Sequence, residues 1–165
     1  MTERKTLYKW FFVWDFDKEE AWLNEMALNG WVLVDVGLCR YTFERCEPGE
    51  YIIRLEMHGS DPDYVSFMEE TGANYIGRCV QWIYFSRRSE YGEFNIFSDI
   101  DSKISHLQGI ARMLMIIGAM NLLIGMVNVN EFSRINLLCA TLLMYGLGRI
   151  HGKIEYLENE RRLHE

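Results

Sequence analysis

Few side chains in this chain have the type and spacing that chemistry requires. The histidines are His58, His106, His151 and His164, and the cysteines are Cys39, Cys46, Cys79 and Cys139. No two of them have the spacing of a zinc motif, and the sequence has no glycine-rich phosphate loop and no nucleophile motif. We therefore predict no metal site, no cofactor and no catalytic residue. The cysteines are interpreted as free thiols of a reducing compartment.

Four acidic residues lie close together: Asp15, Asp17, Glu19 and Glu20. Two neighbouring carboxylates can act as a general acid and a general base. They open an apolar helical pattern, however, and a helix dipole favours negative charge at its first turn. We interpret the group as a helix N-terminus and predict that the protein is not an enzyme. The alternative, a catalytic aromatic pocket, requires a buried acid or base with a shifted pKa.

The composition is that of a folded domain with an appendage. Hydrophobic residues make up 49% of the 165 residues, which is enough for a packed core. The formal net charge is -7. A nucleic-acid surface needs a basic stripe over the phosphates, so a nucleic-acid partner is excluded. No signal peptide is visible, which predicts a cytosolic location for the folded domain.

An internal repeat organises the first half of the chain. At a constant offset of 42 residues, Trp22, Leu23, Met26 and Gly30 match Tyr64, Val65, Met68 and Gly72. At the same offset, Phe11, Val13, Tyr41 and Phe43 match Ile53, Leu55, Ile83 and Phe85. Such self-similarity is typical of repeated structural units. We predict a duplicated β-α-β-β unit, with copies at about residues 7–46 and 49–88, forming one antiparallel sheet with two helices on one face.

Local patterns give the elements of each copy. In the first copy, residues 8–16, 31–36 and 39–45 are predicted strands, and a helix begins at the N-cap Asp17 and ends at Gly30. In the second copy, the strands are 51–57, 75–80 and 81–87. Its helix begins at Asp61-Pro62 and ends at Gly72. Together these elements predict an α+β domain over residues 1–98.

Alternation along the strands predicts a sheet face that the helices leave open. The matched apolar positions should face the helices, and the opposite face would combine aromatic rings with charges. Its predicted ligand-binding residues are Trp10, Phe12, Trp14, Arg54, Glu56, Trp82 and Tyr84. Rings supply contact area and charges supply orientation, and Glu56 among rings suits a cationic group. The alternative is that the C-terminal helices or a second subunit cover this face.

The last part of the chain, residues 99–165, is predicted to be a helical membrane hairpin with a charged tail. Residues 109–129 and 135–150 are mostly apolar, and a bilayer needs about 20 such residues per helix. Residues 128–134 form the connection, which contains Arg134. The outer flanks are richer in basic residues: Lys103, Arg112, Arg149, Lys153, Arg161 and Arg162. The positive-inside rule then places both termini in the cytoplasm. The alternative is a soluble helical pair.

Several stretches resemble a known family. Residues 10–12, 19–27 and 30–33, with the core Trp22-Leu23-Asn24, Met26-Ala27 and Gly30-Trp31, are similar to an uncharacterised bacterial family of domains of unknown function. Residues 40–43 and 98–104 look like the same family. The resemblance implies a regulatory neighbourhood, since members are often found beside PadR-type transcription regulators, and it implies C-terminal transmembrane helices. The repeated strand order also resembles GyrI-like effector-binding domains, which bind amphiphilic ligands on the sheet.

These expectations combine into one functional hypothesis. The chain would be a membrane-tethered cytosolic binding or sensor module with a regulatory role. Its partner would be a small amphiphilic ligand or a regulatory protein, with a homo-oligomer as a further option. A hypothesis of another class is an accessory subunit of a larger membrane complex such as a transporter. In that case, the residues that pack or hydrogen-bond between helices would be Asn121, Thr141, Gly118, Gly125, Gly146 and Gly148.

Overall fold

A computed structural model describes residues 3–59, 61–97, 99–127 and 132–164. It confirms the predicted α+β class, because antiparallel strands and helices alternate in the first part of the chain and two long helices end it. The chain divides into two compact units, Met1–Ile96 and Phe97–Glu165.

The first three strands of the first unit form one sheet. Strands β1 (Arg4–Tyr8), β2 (Trp31–Gly37) and β3 (Arg40–Arg45) pair antiparallel in the order β1-β3-β2, and helix α1 (Phe16–Leu28) connects β1 to β2. Tyr41 and Phe43 of β3 are buried against Leu23 of α1. The alternate residues of β3, Arg40, Thr42 and Glu44, are more exposed, as expected for a strand with one face on the core.

A second sheet follows with the same strand order. Strands β4 (Tyr51–Met57), β5 (Asn74–Cys79) and β6 (Trp82–Arg88) pair antiparallel in the order β4-β6-β5, and helix α2 (Pro62–Glu70) connects β4 to β5. Strand β2 lies next to β5. The six strands nevertheless form two separately hydrogen-bonded sheets, so the prediction of one sheet is wrong.

The first strand is also misplaced in the prediction. It covers Arg4–Tyr8 instead of residues 8–16, and Val13–Asp15 form a short 3-10 helix. The aromatic residues 10–14 have high strand propensity, but the turn at residues 13–15 buries Trp14, which is 4% exposed. Phe11 and Val13 therefore lie outside the strands, and their match with Ile53 and Leu55 of β4 has no structural counterpart.

The predicted helix ends agree better with the structure. Asp61 caps α2 by accepting hydrogen bonds from the backbone N–H groups of Asp63 and Tyr64, and Pro62 is the first helical residue. Gly30 and Gly72 follow the two helices with φ of +80° and +87°, a conformation that glycine adopts without strain. The predicted N-cap Asp17 is wrong, because α1 already begins at Phe16.

The second unit consists of two long helices, α3 (Ile100–Val127) and α4 (Phe132–His164). Asp101 forms an ion pair with Arg161 at 2.6 Å. Farther along, Gly118 lies against Met144 and Gly125 against Leu137. Residue numbers in α4 decrease as residue numbers in α3 increase along these contacts, so the two helices are antiparallel. The predicted charged tail is helical, because α4 continues to His164. The predicted connection largely lies outside the described residues, at 128–131.

Helix α3 is long and apolar enough to cross a membrane, and 28% of its most apolar window is buried inside the structure. No other helix in the described ranges meets the same criterion. Of the two predicted membrane spans, 109–129 and 135–150, the first lies mostly within α3. Helix α4, the second predicted span, carries polar and charged residues over its last half and does not qualify by composition.

Candidate functional site

The sheet of β4, β5 and β6 is covered on both faces. Ile53, Leu55 and Tyr84 belong to the same buried cluster as Leu23 of α1. Ile83 and Phe85 of β6 point to the opposite face of the sheet from Tyr84. They belong to a second buried cluster, which contains Met68 of α2. Helices α1 and α2 therefore lie on opposite faces of this sheet. The prediction that both helices cover one face and leave the other open is wrong.

The predicted ligand-binding residues do not form one surface. Glu56 and Tyr84 are 5% and 3% exposed. Trp82 stacks on Phe16 of α1 with ring centroids 5.3 Å apart. Arg54 is half-buried and pairs with Glu20 of α1 at 3.5 Å. Of the remaining three, Trp14 is buried, whereas Trp10 and Phe12 are exposed. The surface on which the binding prediction was based does not exist, and a role of these residues in binding stays a prediction.

A buried carboxylate joins the two sheets through α1. The Tyr41 hydroxyl donates to Glu19 Oε1 at 2.8 Å, and the Tyr84 hydroxyl donates to the same oxygen at 2.7 Å. Burial raises the pKa of Glu19, and the two hydrogen bonds oppose the shift. Burial and the neighbouring carboxylate raise the pKa of both tyrosines, so their hydroxyls stay protonated donors.

A second buried carboxylate, Glu56, lies on the α2 side of the same sheet. Burial raises its pKa, which the hydrogen bond from Tyr64 and the nearby His58 oppose. The Tyr64 ring stacks on the His58 ring with centroids 4.0 Å apart. Glu56 Oε1 has no hydrogen-bond partner among the described residues. A buried acid with a shifted pKa is what the catalytic alternative requires. Here, however, both such carboxylates sit within packed clusters.

Helix α1 also binds the free edge of β4 with polar side chains. Asn24 Nδ2 donates to Ile53 O at 2.9 Å, and Ile53 N–H donates to Asn24 Oδ1 at 2.9 Å. One turn earlier, Glu20 Oε2 accepts from Leu55 N–H at 3.2 Å. These groups occupy the backbone positions that a further strand would use. Edge strands invite pairing with other chains, and α1 blocks part of this one.

Exposed aromatic side chains gather in the segment between β1 and the 3-10 helix. Tyr8, Trp10 and Phe12 are 78%, 63% and 40% exposed. The Trp10 ring is edge-on to the Phe12 ring with centroids 6.0 Å apart, and the Phe12 ring stacks on Trp14 at 4.7 Å. Lys9 N–H donates to Cys39 O at 3.0 Å, which brings the segment beside the exposed Leu38 of the β2–β3 turn. We call Tyr8, Trp10, Phe12 and Leu38 the aromatic edge.

The helical unit has a second exposed apolar surface, near the ends of α3 and α4 that adjoin residues 128–131. Its largest exposed side chains are Met115, Ile116, Met120, Leu123, Met126 and Val127 of α3 and Ile135, Leu138, Leu142 and Tyr145 of α4. We call this surface the apolar belt. Residues 113–127 and 135–148 contain no charged side chain. Arg112 and Arg149 bound the belt at one end, and by the antiparallel register they lie at nearly the same level.

Sequence reasoning missed Glu19, Glu20 and Asn24. Glu19 and Glu20 are predicted only as part of a helix N-terminus, and Asn24 only as part of the family motif, but their partners are Tyr41, Tyr84 and β4. One signal was available: consecutive apolar residues in β4 and β6, such as Ile83-Tyr84-Phe85, are typical of strands buried on both faces. In the described ranges, no three His, Cys, Asp or Glu side chains converge as a metal site requires.

Comparison with known proteins places the chain in a family. Residues 15–119 match the family described as "Protein of unknown function (DUF2812)". The matched region begins just before α1, includes strands β2 to β6 and ends within α3, so β1 lies outside it. No curated protein and no solved structure matches the chain. The chain belongs to the DUF2812 family, as the resemblance in its sequence to an uncharacterised family had predicted.

Proposed function

We propose that the first unit is a cytosolic, non-enzymatic binding module that α3 and α4 tether to a membrane. The apolar belt carries this proposal. Large side chains such as Leu123, Met126, Val127 and Leu138 are more than 60% exposed, and soluble monomers rarely expose so large an apolar patch. In a lipid bilayer these side chains contact acyl chains instead of water, which removes the unfavourable free energy of exposing them.

The dimensions of the belt support a short membrane insertion. Residues 113–127 hold no charge, and a rise of about 1.5 Å per residue makes this stretch about 22 Å long. The hydrocarbon core of a bilayer is about 30 Å thick. Arg112 and Arg149 at one end and Arg134 at the other can extend their side chains to the interfaces, and a thinned bilayer accommodates the rest.

The distribution of basic residues supports the orientation. Arg134 is flanked by the apolar stretch of α4, whereas the far ends of both helices carry Lys103, Arg112, Arg149, Lys153, Arg161 and Arg162. In this proposal the end of the helical pair that carries Arg134 lies on the outer side. Both termini and the first unit then lie in the cytoplasm, in accordance with the positive-inside rule.

The binding partner we favour is a regulatory protein that contacts the aromatic edge. The groove that would have suited a small amphiphile is filled by α1 and α2, whereas Trp10 and Tyr8 remain exposed on an outer surface. Exposed aromatic side chains are enriched in protein interfaces. A small amphiphile bound at the same edge is the competing occupant.

The tether is tested by carbonate extraction of membranes that contain the full chain. We expect the protein to stay in the membrane pellet after the wash. A matched chain in which Leu123 and Leu138 are both replaced by lysine should move to the supernatant. Release of the unaltered chain by carbonate contradicts the tether.

The aromatic edge is tested by crosslinking in the native membrane. The Trp10→Ser variant should lose a specific crosslinked protein that the unaltered chain captures. Phe67→Ser is the matched control, because Phe67 is a 59% exposed aromatic residue on α2. Equal capture by both variants rules out the edge as the contact surface. Capture of a lipid-like small molecule in place of a protein decides for the competing occupant.

The duplicated unit is supported by features beyond strand order. Both second strands have a register shift, between Leu33 and Asp35 in β2 and between Tyr75 and Gly77 in β5, at the 42-residue offset. We infer that residues 30–45 and 72–87 are equivalent copies. We predict that their backbones, traced in a crystal of the full chain, superpose without a gap. A superposition that needs an insertion would contradict the duplication.

The alternative of an accessory subunit loses part of its support. Gly118 and Gly125, which were predicted to pack between helices, lie against Met144 and Leu137 of α4, so their contacts are made within this chain's own helical pair. Asn121 and Thr141 each donate to a backbone carbonyl of their own helix. Gly148 has open space beside it, unlike Gly118 and Gly125. Isolation of the full chain in mild detergent without a stoichiometric membrane partner would reject this alternative.

A further inference from the structure

An open groove lies between α3 and α4, directly below the apolar belt. Its volume is about 530 Å³, and its lining includes Gln108, Arg112, Met115, His151, Glu155 and Glu158. Met115 belongs to the belt, so the groove begins where the charge-free part of the helical pair ends. In the proposed membrane orientation this is the level of the lipid headgroups.

The charges in the groove are ordered along the helices. Arg112 lies next to the belt. By the antiparallel register, Glu155 and Glu158 lie about one and two helical turns farther from the belt. Side chains tilt toward the N-terminus of their own helix, so Arg112 and Glu155, on antiparallel helices, lean toward each other. Within the described residues, Arg112 forms no ion pair with either carboxylate, so its guanidinium remains available to an anion.

This order matches the order of charges in one lipid headgroup. A phosphodiester, which is attached to the glycerol, lies nearest the hydrocarbon and suits Arg112. A primary ammonium lies farther out and can donate charge-assisted hydrogen bonds to Glu155 and Glu158. The quaternary ammonium of choline has no N–H to donate. A glycerol headgroup brings a net negative charge towards two carboxylates, which opposes binding.

We propose that the groove binds the headgroup of phosphatidylethanolamine, with Arg112 on the phosphate and Glu155 and Glu158 on the ammonium. This inference rests on the proposed membrane tether. Met115 then contacts the first acyl carbons at the lip of the groove. Bound lipid would fix the depth of the helical pair, because the phosphate level is set by Arg112.

The test uses the full chain reconstituted in vesicles of equal parts phosphatidylcholine, phosphatidylethanolamine and phosphatidylglycerol. The vesicles are extracted with mild detergent, and the lipids that remain bound are counted by native mass spectrometry. We expect phosphatidylethanolamine to exceed phosphatidylcholine about tenfold, the effect of one charge-assisted hydrogen bond. Glu155→Gln/Glu158→Gln should abolish that preference and still retain phospholipid. Arg112→Gln should reduce the retention of every phospholipid. Glu160→Gln, a carboxylate of α4 outside the groove, is the control and should behave as the unaltered chain.

The possible failures are distinguishable. If the unaltered chain enters vesicles but retains phosphatidylethanolamine and phosphatidylcholine equally, the headgroup site is wrong and the tether stands. If the double glutamine variant still retains more phosphatidylethanolamine than phosphatidylcholine, Glu155 and Glu158 do not bind the ammonium group. If the chain does not float with pure phosphatidylcholine vesicles, both the tether and the headgroup site fail. Helical content from circular dichroism shows that each variant is folded.

Discussion

The side chain of Asn24 binds both backbone polar groups of Ile53, across 29 positions of sequence. A side-chain amide carries a donor and an acceptor in the same geometry as a peptide group, so Asn24 replaces one residue of a missing strand. Its Nδ2 also donates to Glu20 O at 2.7 Å, which orients the amide. The contact fixes α1, which follows β1, to β4 of the other sheet.

Replacing Asn24 by alanine should lower the free energy of unfolding of the first unit by about 2–3 kcal/mol. Two hydrogen bonds are lost and a partly buried backbone N–H and C=O lose their partners. All five tryptophans lie in residues 10–82, so urea unfolding followed by tryptophan fluorescence reports this unit alone. Asn29→Ala is the control, because the Asn29 side chain is exposed and donates to Glu25 O of its own helix. Equal losses in the two variants would show that the link to β4 contributes nothing.

The Glu19 carboxylate should make stability depend on pH. Its pKa is raised in the folded protein above the ordinary value of 4.5, mainly by burial. The folded state therefore holds the proton more tightly, and the free energy of unfolding falls as pH rises from 4.5 through the folded-state pKa. Glu19→Gln cannot titrate, so its stability relative to the unaltered chain should increase over that pH interval.

Tyr84→Phe provides the complementary variant for this carboxylate. It removes a hydrogen bond that lowers the pKa of Glu19. The decline of stability with rising pH should then be steeper and extend to higher pH. Unfolding curves at several pH values measure both variants. A Glu19→Gln profile parallel to that of the unaltered chain contradicts this account.

Val80 should be a site of stored backbone strain. It is a β-branched residue with φ of +57° in the two-residue turn between β5 and β6. Val80→Gly should therefore raise the free energy of unfolding by about 1 kcal/mol. Leu38→Gly in the β2–β3 turn is the matched control: Leu38 is 74% exposed, like Val80 at 76%, but its φ is not positive. That change should cost about 0.5–1 kcal/mol. If both substitutions change the free energy of unfolding in the same direction, Val80 stores no backbone strain.

Close approach of α3 and α4 should depend on Gly125. A Cβ atom there would lie 2.9 Å from the Leu137 side chain and 3.2 Å from the backbone oxygen of Ser133. The Ser133 hydroxyl also donates to Gly125 O. Gly125→Ala should destabilise the helical pair by about 1–3 kcal/mol through overpacking. Gly148→Ala meets open space and should stabilise it by about 0.5–1 kcal/mol. Hydrogen exchange of residues 113–127 measures both, and faster exchange in Gly148→Ala alone would reverse the assignment.

Local signals in the sequence predicted much of the secondary structure. Asp61-Pro62 identified the start of α2, because capping and the first helical position depend on near neighbours. Gly30 and Gly72 identified the ends of α1 and α2 for the same reason. The strand signal failed at residues 10–14. Aromatic residues favour strands by propensity, but the burial of Trp14 in a 3-10 helix determines the conformation there.

Long-range contacts decided what local patterns could not. Glu19 lies 22 positions from Tyr41 and 65 from Tyr84, so no spacing rule connects the three. Glu19 was read as an exposed helix start because its neighbours are acidic. The prediction of an open sheet face was wrong for a related reason. It assumed, from the 42-residue offset, that the side chains of Ile53 and Ile83 lie on the same face. In the structure Ile53 pairs with Ser86, and Ile83 pairs with Glu56. Since Ile83 and Ser86 are three residues apart in one strand, Ile53 and Ile83 point to opposite faces.

The membrane tether is tested most directly at Cys139, which is exposed within the charge-free part of α4. With Cys39, Cys46 and Cys79 replaced by alanine, a nitroxide on Cys139 in reconstituted vesicles reports its surroundings by electron paramagnetic resonance. We predict that molecular oxygen, which concentrates in hydrocarbon, relaxes the nitroxide more than a water-soluble nickel chelate does. Stronger relaxation by the chelate would show that water covers the apolar belt. Weak relaxation by both would show that protein covers it, and either result contradicts the tether.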